Sequence, residues 1–214
     1  YCVGGMLIVQ IRQANKHQNI SYGYAIHKRY MAFLTSTLQV DINKRLPNMA
    51  EHKKYLGDLI GGSLMIKESQ LIAELLLSNP TKEDWDDAIV EQNILQKRSP
   101  ASAKRNAATI KKRIALLGED FLTMLANANH EEASQLMMAA TLINSPLLAD
   151  FMRTVVMEAK RLYRENIDVK DWQYFWEERS RIYPEFTELS EASTYKISQV
   201  AFKVMTDGGF LEST

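Results

Sequence analysis

The chain has 214 residues and a mass of 24.5 kDa, with 46% hydrophobic and 24% charged side chains, ordinary globular usage that suffices for a sizeable core. Its 26 basic and 26 acidic residues cancel, which excludes the domain-wide basic surface usual in nucleic-acid binders, so any such contact must come from a local patch. Cys2 stands alone and His17, His27, His52 and His130 are far apart, so neither a disulfide, a zinc site nor any cofactor is expected.

Five prolines and nine glycines are too few for many short strands and tight turns, and the expected fold is all-α, a compact multi-helix bundle. No apolar run approaches the roughly 18 residues of a membrane span. The opening residues, Tyr1-Cys2-Val3-Gly4-Gly5-Met6-Leu7-Ile8-Val9, lack the basic and long apolar regions of a secretion signal. A cytoplasmic location is expected.

Charge is unevenly spread along the chain. Residues 1–48 hold six basic groups against Asp41, and the remainder carries the compensating acidic excess. The segment 1–48 reads as an N-terminal extension, non-native or loosely ordered, with a helix over 30–40 and a linker over 43–48. Met49, opening Ala50-Glu51-His52-Lys53-Lys54-Tyr55, reads as the true start.

Residues 49–118 read as a helix-turn-helix-like part and 119–214 as a helical bundle with a C-terminal helix and a short wing-like tail. Leu71, Ile72, Leu75 and Leu76 predict a helix over 68–77, stopped by Ser78-Asn79-Pro80. Thr81 caps a second helix to about residue 96, with Glu83, Asp84, Asp86 and Asp87 placed where the helix dipole favours anions. Ser99 and Pro100 suit the N-cap and first position of a third helix that stops at Gly118. Further helices are predicted over 119–128, 131–144, 147–165 and 169–182. The last begins at Ser190 or Ser193 and ends at Asp207-Gly208-Gly209.

The third helix carries the strongest functional signal. Ala103, Ala107, Ile110, Ile114 and Leu117 step by four and three and form a docking stripe. Lys104, Arg105, Lys111 and Lys112 project from the other side, with Lys97 and Arg98 just before it. Between Glu91 and Glu119 there are seven basic residues and no acidic one. Ser99, Ala101, Ser102 and Asn106 are small enough for close approach, and hydroxyls and N–H groups at a helix start bind phosphate. A helix, a four-residue Lys97-Arg98-Ser99-Pro100 turn and a basic helix together resemble a helix-turn-helix. The candidate DNA contact is therefore Lys97, Arg98, Ser99, Ser102, Lys104, Arg105, Lys111 and Lys112. The same charges also suit a solvated face answering the acidic helix before it.

A second candidate contact is Thr194, Lys196, Gln199 and Lys203 on the last helix. Beyond it, Asp207-Gly208-Gly209-Phe210-Leu211 resembles the turn of a winged helix into its wing, though a terminal packing helix explains the pattern as well. Trp172, Phe175 and Trp176, with Tyr183 beyond, and Met137 and Met138 within 136–142, read as core. Stacking on unpaired bases is the alternative for the aromatic stripe. No catalytic triad is visible, and Gly61-Gly62-Ser63 lacks the Lys-Ser/Thr of a phosphate loop, so an enzyme is not expected.

Several ordered stretches carry a family likeness. They are Leu64-Met65-Ile66-Lys67-Glu68-Ser69-Gln70-Leu71-Ile72-Ala73, Asn93-Ile94-Leu95-Gln96-Lys97-Arg98-Ser99-Pro100-Ala101-Ser102-Ala103-Lys104-Arg105, and Pro146-Leu147-Leu148-Ala149-Asp150-Phe151. Trp172-Gln173-Tyr174-Phe175, Ser193-Thr194-Tyr195-Lys196-Ile197-Ser198-Gln199-Val200 and Gly208-Gly209-Phe210-Leu211 follow. Over 55–211 the chain resembles the BrxA family, a small component of bacterial BREX phage-defence systems. The resemblance implies an all-helical, non-catalytic protein that binds double-stranded DNA beside a DNA methyltransferase and large ATPase partners. It also implies a competing analogy to the helical NusB fold, hence RNA binding, and leaves open a scaffold role within the defence complex.

Overall fold

The computed structural model describes residues 55–56, 59–164, 166–183, 186 and 189–211, with the side chains of Ile60 and Lys160 left aside. The expectations for 1–48 lie outside these residues. All the described elements belong to one unit, His52–Thr214. Among the described residues the fold is all-α, without strands.

After a 3₁₀ turn, Leu59–Gly61, the chain enters α1, Ile66–Leu77, and then α2, Lys82–Asp86, which continues as a π turn, Asp87–Glu91. Helix α3, Pro100–Ile114, is extended by a 3₁₀ turn, Ala115–Leu117, and α4, Glu119–Asn127, and α5, His130–Asn144, follow. Pro146–Phe151, the π turn Met152–Val156 and Met157–Arg161 make one interrupted helix, α6. Val169–Ile182 is α7 and Glu191–Asp207 is α8.

The boundaries follow from local chemistry. The Thr81 hydroxyl accepts from the Asp84 N–H while Asp84 accepts from the Thr81 N–H, a reciprocal cap repeated at Asn129 with Glu132 and at Asp168 with Asp171. Ser99 accepts from the Ser102 N–H and Pro100 occupies the first turn. Gly118, at φ 86, makes the break between α3 and α4 that a side chain would resist. At the end of α6, Tyr163 takes a left-handed conformation, φ 54, and the Arg164 N–H closes onto the Ala159 carbonyl, so this helix is shorter than the predicted 147–165.

Helix α1 is central, packing against α3, α4 and α5 through buried Ile72 and Ala73. Gln70 reaches from it to the Leu125 and Ala128 carbonyls at the end of α4. Met137 and Met138 of α5 are buried, and so are Trp172, Phe175 and Trp176 of α7, as their spacing predicts. The aromatic residues join Phe151 and Phe186 in one cluster, with Phe151–Trp172 centroids at 4.8 Å and Trp176–Phe186 stacked at 4.8 Å.

Two local expectations meet a different geometry. The connection between α2 and α3 runs over 92–99 rather than as a four-residue turn. Asn93 and Gln96 adopt left-handed conformations within it, and the Asn93 amide brackets the Lys97 backbone, accepting from its N–H and donating to its carbonyl at 2.9 Å each. Buried Leu95 pins the loop. After α8, no strand forms among the described residues. The Phe210 and Leu211 N–H groups instead turn back to the Met205 carbonyl, because a helix end leaves carbonyls that need donors.

Candidate nucleic-acid interface

Helix α3 is amphipathic in the way its spacing predicts. Ala103, Ala107, Ile110, Ile114 and Leu117 are buried against the core, and Arg98, Lys104, Arg105, Lys111 and Lys112 are exposed. Successive residues turn by about 100°, so Lys104, Arg105, Lys111 and Lys112 fall within an arc of roughly 120° on one side. None of these cations forms an ion pair with a described residue.

The acidic helix before it does not neutralise them. Asp84 is committed to the Thr81 cap, whose hydroxyl and backbone hydrogen bonds lower its pKa. Asp87 accepts from the Gln92 amide. The contact that α2 does offer is aromatic: Lys111 Nζ lies 4.4 Å from the centroid of the Trp85 ring. Trp85 was not singled out for this role in the sequence, where it reads only as an apolar residue of an acidic helix.

Two of the seven basic residues between Glu91 and Glu119 are engaged elsewhere, Lys97 of the expected set and Arg113 outside it. The Lys97 ammonium lies 2.5 Å from Glu68 Oε1 of α1, each side chain 23% exposed, which draws it away from the α3 face. Arg113, the seventh basic residue of the segment, is 0% exposed. Its guanidinium donates to the Ser63 carbonyl at 2.6 Å and the Gly62 carbonyl at 3.0 Å. It is a core tie between α3 and the Gly-Gly-Ser loop. Ser99 and Ser102 are half-buried and bonded to each other, with Oγ atoms 3.1 Å apart, so their hydroxyls shape the helix start.

On α8, Lys196 and Gln199 are exposed and Thr194 is half-buried. Lys203 pairs with Asp207 one turn on, at 2.6 Å. Among the described residues the second patch thus presents one unpaired lysine, Lys196.

A separate polar network centres on Asp150. Asp150 of α6 accepts from Tyr55 Oη and Arg179 Nε at 2.6 Å each and from Arg153 at 2.7 Å. Burial alone would raise the Asp150 carboxyl, but the hydrogen bonds from Arg179, Tyr55 and Arg153 outweigh it and hold the pKa below the usual carboxylate range. Burial and the bond to Asp150 push the Tyr55 phenol up, favouring its neutral form. Arg179 also lies 4.8 Å from the Phe175 centroid, and Tyr55 stacks on Tyr183 at 4.6 Å. This network fastens the residues before α1 to α6 and α7. Among the described residues, no helix is long and apolar enough to cross a membrane.

Comparison with known proteins places this geometry in a family. A family model described as BrxA matches residues 53–214. The "BREX protein BrxA" of Escherichia coli O9:H4 (strain HS) is 36% identical over 161 residues, covering 75% of this chain and 76% of that one. The protein of the same name from Paramagnetospirillum magneticum is 31% identical over 163 residues, with coverage of 76% and 81%. The crystal structure of an uncharacterized protein from Magnetospirillum magneticum matches with a TM-score of 0.68 at 28% identity, over 75% of this chain and 82% of that chain.

Proposed function

The chain belongs to the BrxA family, and on that premise we propose that it is a non-catalytic, cytoplasmic DNA-binding component of a BREX phage-defence system. It grips duplex DNA through phosphates, with the outer face of α3 as the principal contact. The observation that carries this reading is the disposition of α3: one side docked in the core, the other bearing Lys104, Arg105, Lys111 and Lys112 without acidic partners among the described residues. A solvated face that answered α2 would pair with its carboxylates, and no such pair forms among the described residues. Arg98 extends the patch, while Lys97 contributes less because Glu68 holds it. Lys196 and Gln199 of α8 are a secondary contact. Methyltransferase and ATPase components of the same system are the proposed protein partners.

The test is a charge reversal, Lys104→Glu with Arg105→Glu, Lys111→Glu and Lys112→Glu, assayed by gel shift on duplex DNA. Binding should vanish while the helical circular-dichroism signal stays intact, since all four side chains are exposed. Undiminished binding would refute the assignment. A second reading, a scaffold subunit, is favoured by large apolar side chains left in solvent, among them Leu162, Tyr163 and Tyr174. A protein that ignores duplex DNA at about 50 mM salt, yet co-purifies with its partners, would replace the first reading by the second. Direct competition between duplex DNA and RNA separates the NusB-like alternative.

A further inference from the structure

Of the three tryptophans, Trp172 and Trp176 are buried in the aromatic cluster of α7, and Trp85 of α2 is half-buried beside the cationic face of α3. Trp85 has no aromatic neighbour among the described residues. Its ring instead carries the Lys111 ammonium, 4.4 Å from the centroid. Lys111 is exposed, so that face of the ring is reached from solvent. The Trp85 indole N–H lacks a partner among the described residues but, unlike that of Trp172, is not sealed from water. On α3, Lys104, Ala108 and Lys111 follow at four- and three-residue spacing, so an exposed methyl separates the two cations on this side.

We propose that this edge of the α3 face selects DNA that offers an unpaired base, which stacks on the Trp85 ring in the place that the Lys111 ammonium holds, while the ammonium moves to an adjoining phosphate. The inference rests on the reading of α3 as the DNA contact and adds the class of DNA that it prefers. The surrounding charges set the orientation. Helix α2 and its π turn bring Glu83, Asp84, Asp86, Asp87 and Glu91 against Lys82, which disfavours a phosphate backbone on that side. Lys104 and Lys111 hold phosphates on the α3 side, and a neutral base is the part of a strand that can turn toward α2. In an intact duplex, turning a base out costs its pairing and stacking, whereas a bulged base has already lost its pair. Stacking a base on an aromatic ring strengthens binding by about 5- to 150-fold. The exposed cation–ring contact that it replaces is worth only about two- to fivefold, so the exchange is favourable.

The probes are three labelled DNAs of one sequence: an intact duplex, the duplex with one bulged thymine, and the duplex with the same bulge lacking its base. The parent chain should bind the bulged thymine about tenfold more tightly than the other two, which should bind alike. In Trp85→Leu that preference should disappear, while the intact duplex binds within about twofold of the parent. With 5-iodouracil in the bulge, irradiation should crosslink the parent chain within the tryptic peptide 83–97, in which Trp85 is the one aromatic residue. The proposal is overturned if the base-free bulge binds as tightly as the bulged thymine, if the bulged thymine has no advantage over the intact duplex, or if the crosslink maps outside that peptide. These outcomes are read on the parent chain, so they decide the matter even where the Trp85→Leu chain does not fold. In each of them the α3 reading still stands if the intact duplex binds and the fourfold charge reversal releases it, whereas a parent chain that binds none of the three DNAs overturns both.

Discussion

Replacing Lys104, Lys112 and Lys97 one at a time with Ala separates cations that face solvent from one that is already paired. If the four exposed cations of α3 each displace one counterion from duplex DNA, the logarithm of affinity should fall with the logarithm of salt at a slope of about −3.6. Between 50 and 200 mM salt, affinity then weakens about 150-fold. The four side chains rise along only about 12 Å of helix, which a single run of phosphates can accommodate. Removing Lys104 or Lys112 should reduce the slope by about 0.9 and cut the weakening over the same range to about 40-fold. Removing Lys97 should leave the slope nearly unchanged, because Glu68 occupies its ammonium at 2.5 Å. Fluorescence anisotropy on a labelled duplex of about two helical turns, repeated across the salt series, gives each slope. The reasoning fails if the parent slope is flat, or if Lys97→Ala changes it as much as Lys104→Ala does.

Two further expectations concern the scaffold that presents this face. Arg113→Ala should cost about 3 kcal/mol, read as a lower urea midpoint at constant m-value, because it empties a buried site and strips two carbonyls of charged donors. Neighbouring Lys112→Ala should stay within about 0.5 kcal/mol. Asp150→Asn should cost roughly 2–4 kcal/mol by leaving Arg179 short of its counter-charge, somewhat less than a fully buried pair because Arg179 keeps some solvent contact. The pH dependence has a definite sign. Asp150 titrates lower in the folded chain than its unfolded value near 4, so its contribution is full above that value and is lost as pH falls toward the folded one. Thermal melts should therefore show the parent losing stability below about pH 5 and Asp150→Asn losing less over the same range.

Much of the fold was legible because the signals that start and stop helices act within four residues. Thr81, Ser99 with Pro100, and Gly118 each mark a boundary through their own backbone or hydroxyl chemistry. The docking stripe of α3 was legible for a related reason: periodicity alone decides which side of a helix shares a face. That periodicity also placed Trp172, Phe175 and Trp176 in the core. The Lys203–Asp207 pair lay within the same local grammar, at one-turn spacing.

The fates of individual charges were a different matter. Seven basic residues between Glu91 and Glu119 form one run without an acidic residue, yet Arg113 is sealed in the core and Lys97 is held by a carboxylate 29 positions upstream. The loop over 92–99 depends on left-handed Asn93 and Gln96 and on where Leu95 can be buried, and Asn93 offers only a weak local hint. Asp150 meets Tyr55 across 95 positions. The helices and the inward side of α3 follow from neighbouring residues alone, because hydrogen bonding within a helix and burial of a stripe are short-range in the chain. Which of its cations stay exposed was settled by packing, because whether a cation faces water or a carboxylate depends on residues that meet only when the chain has folded.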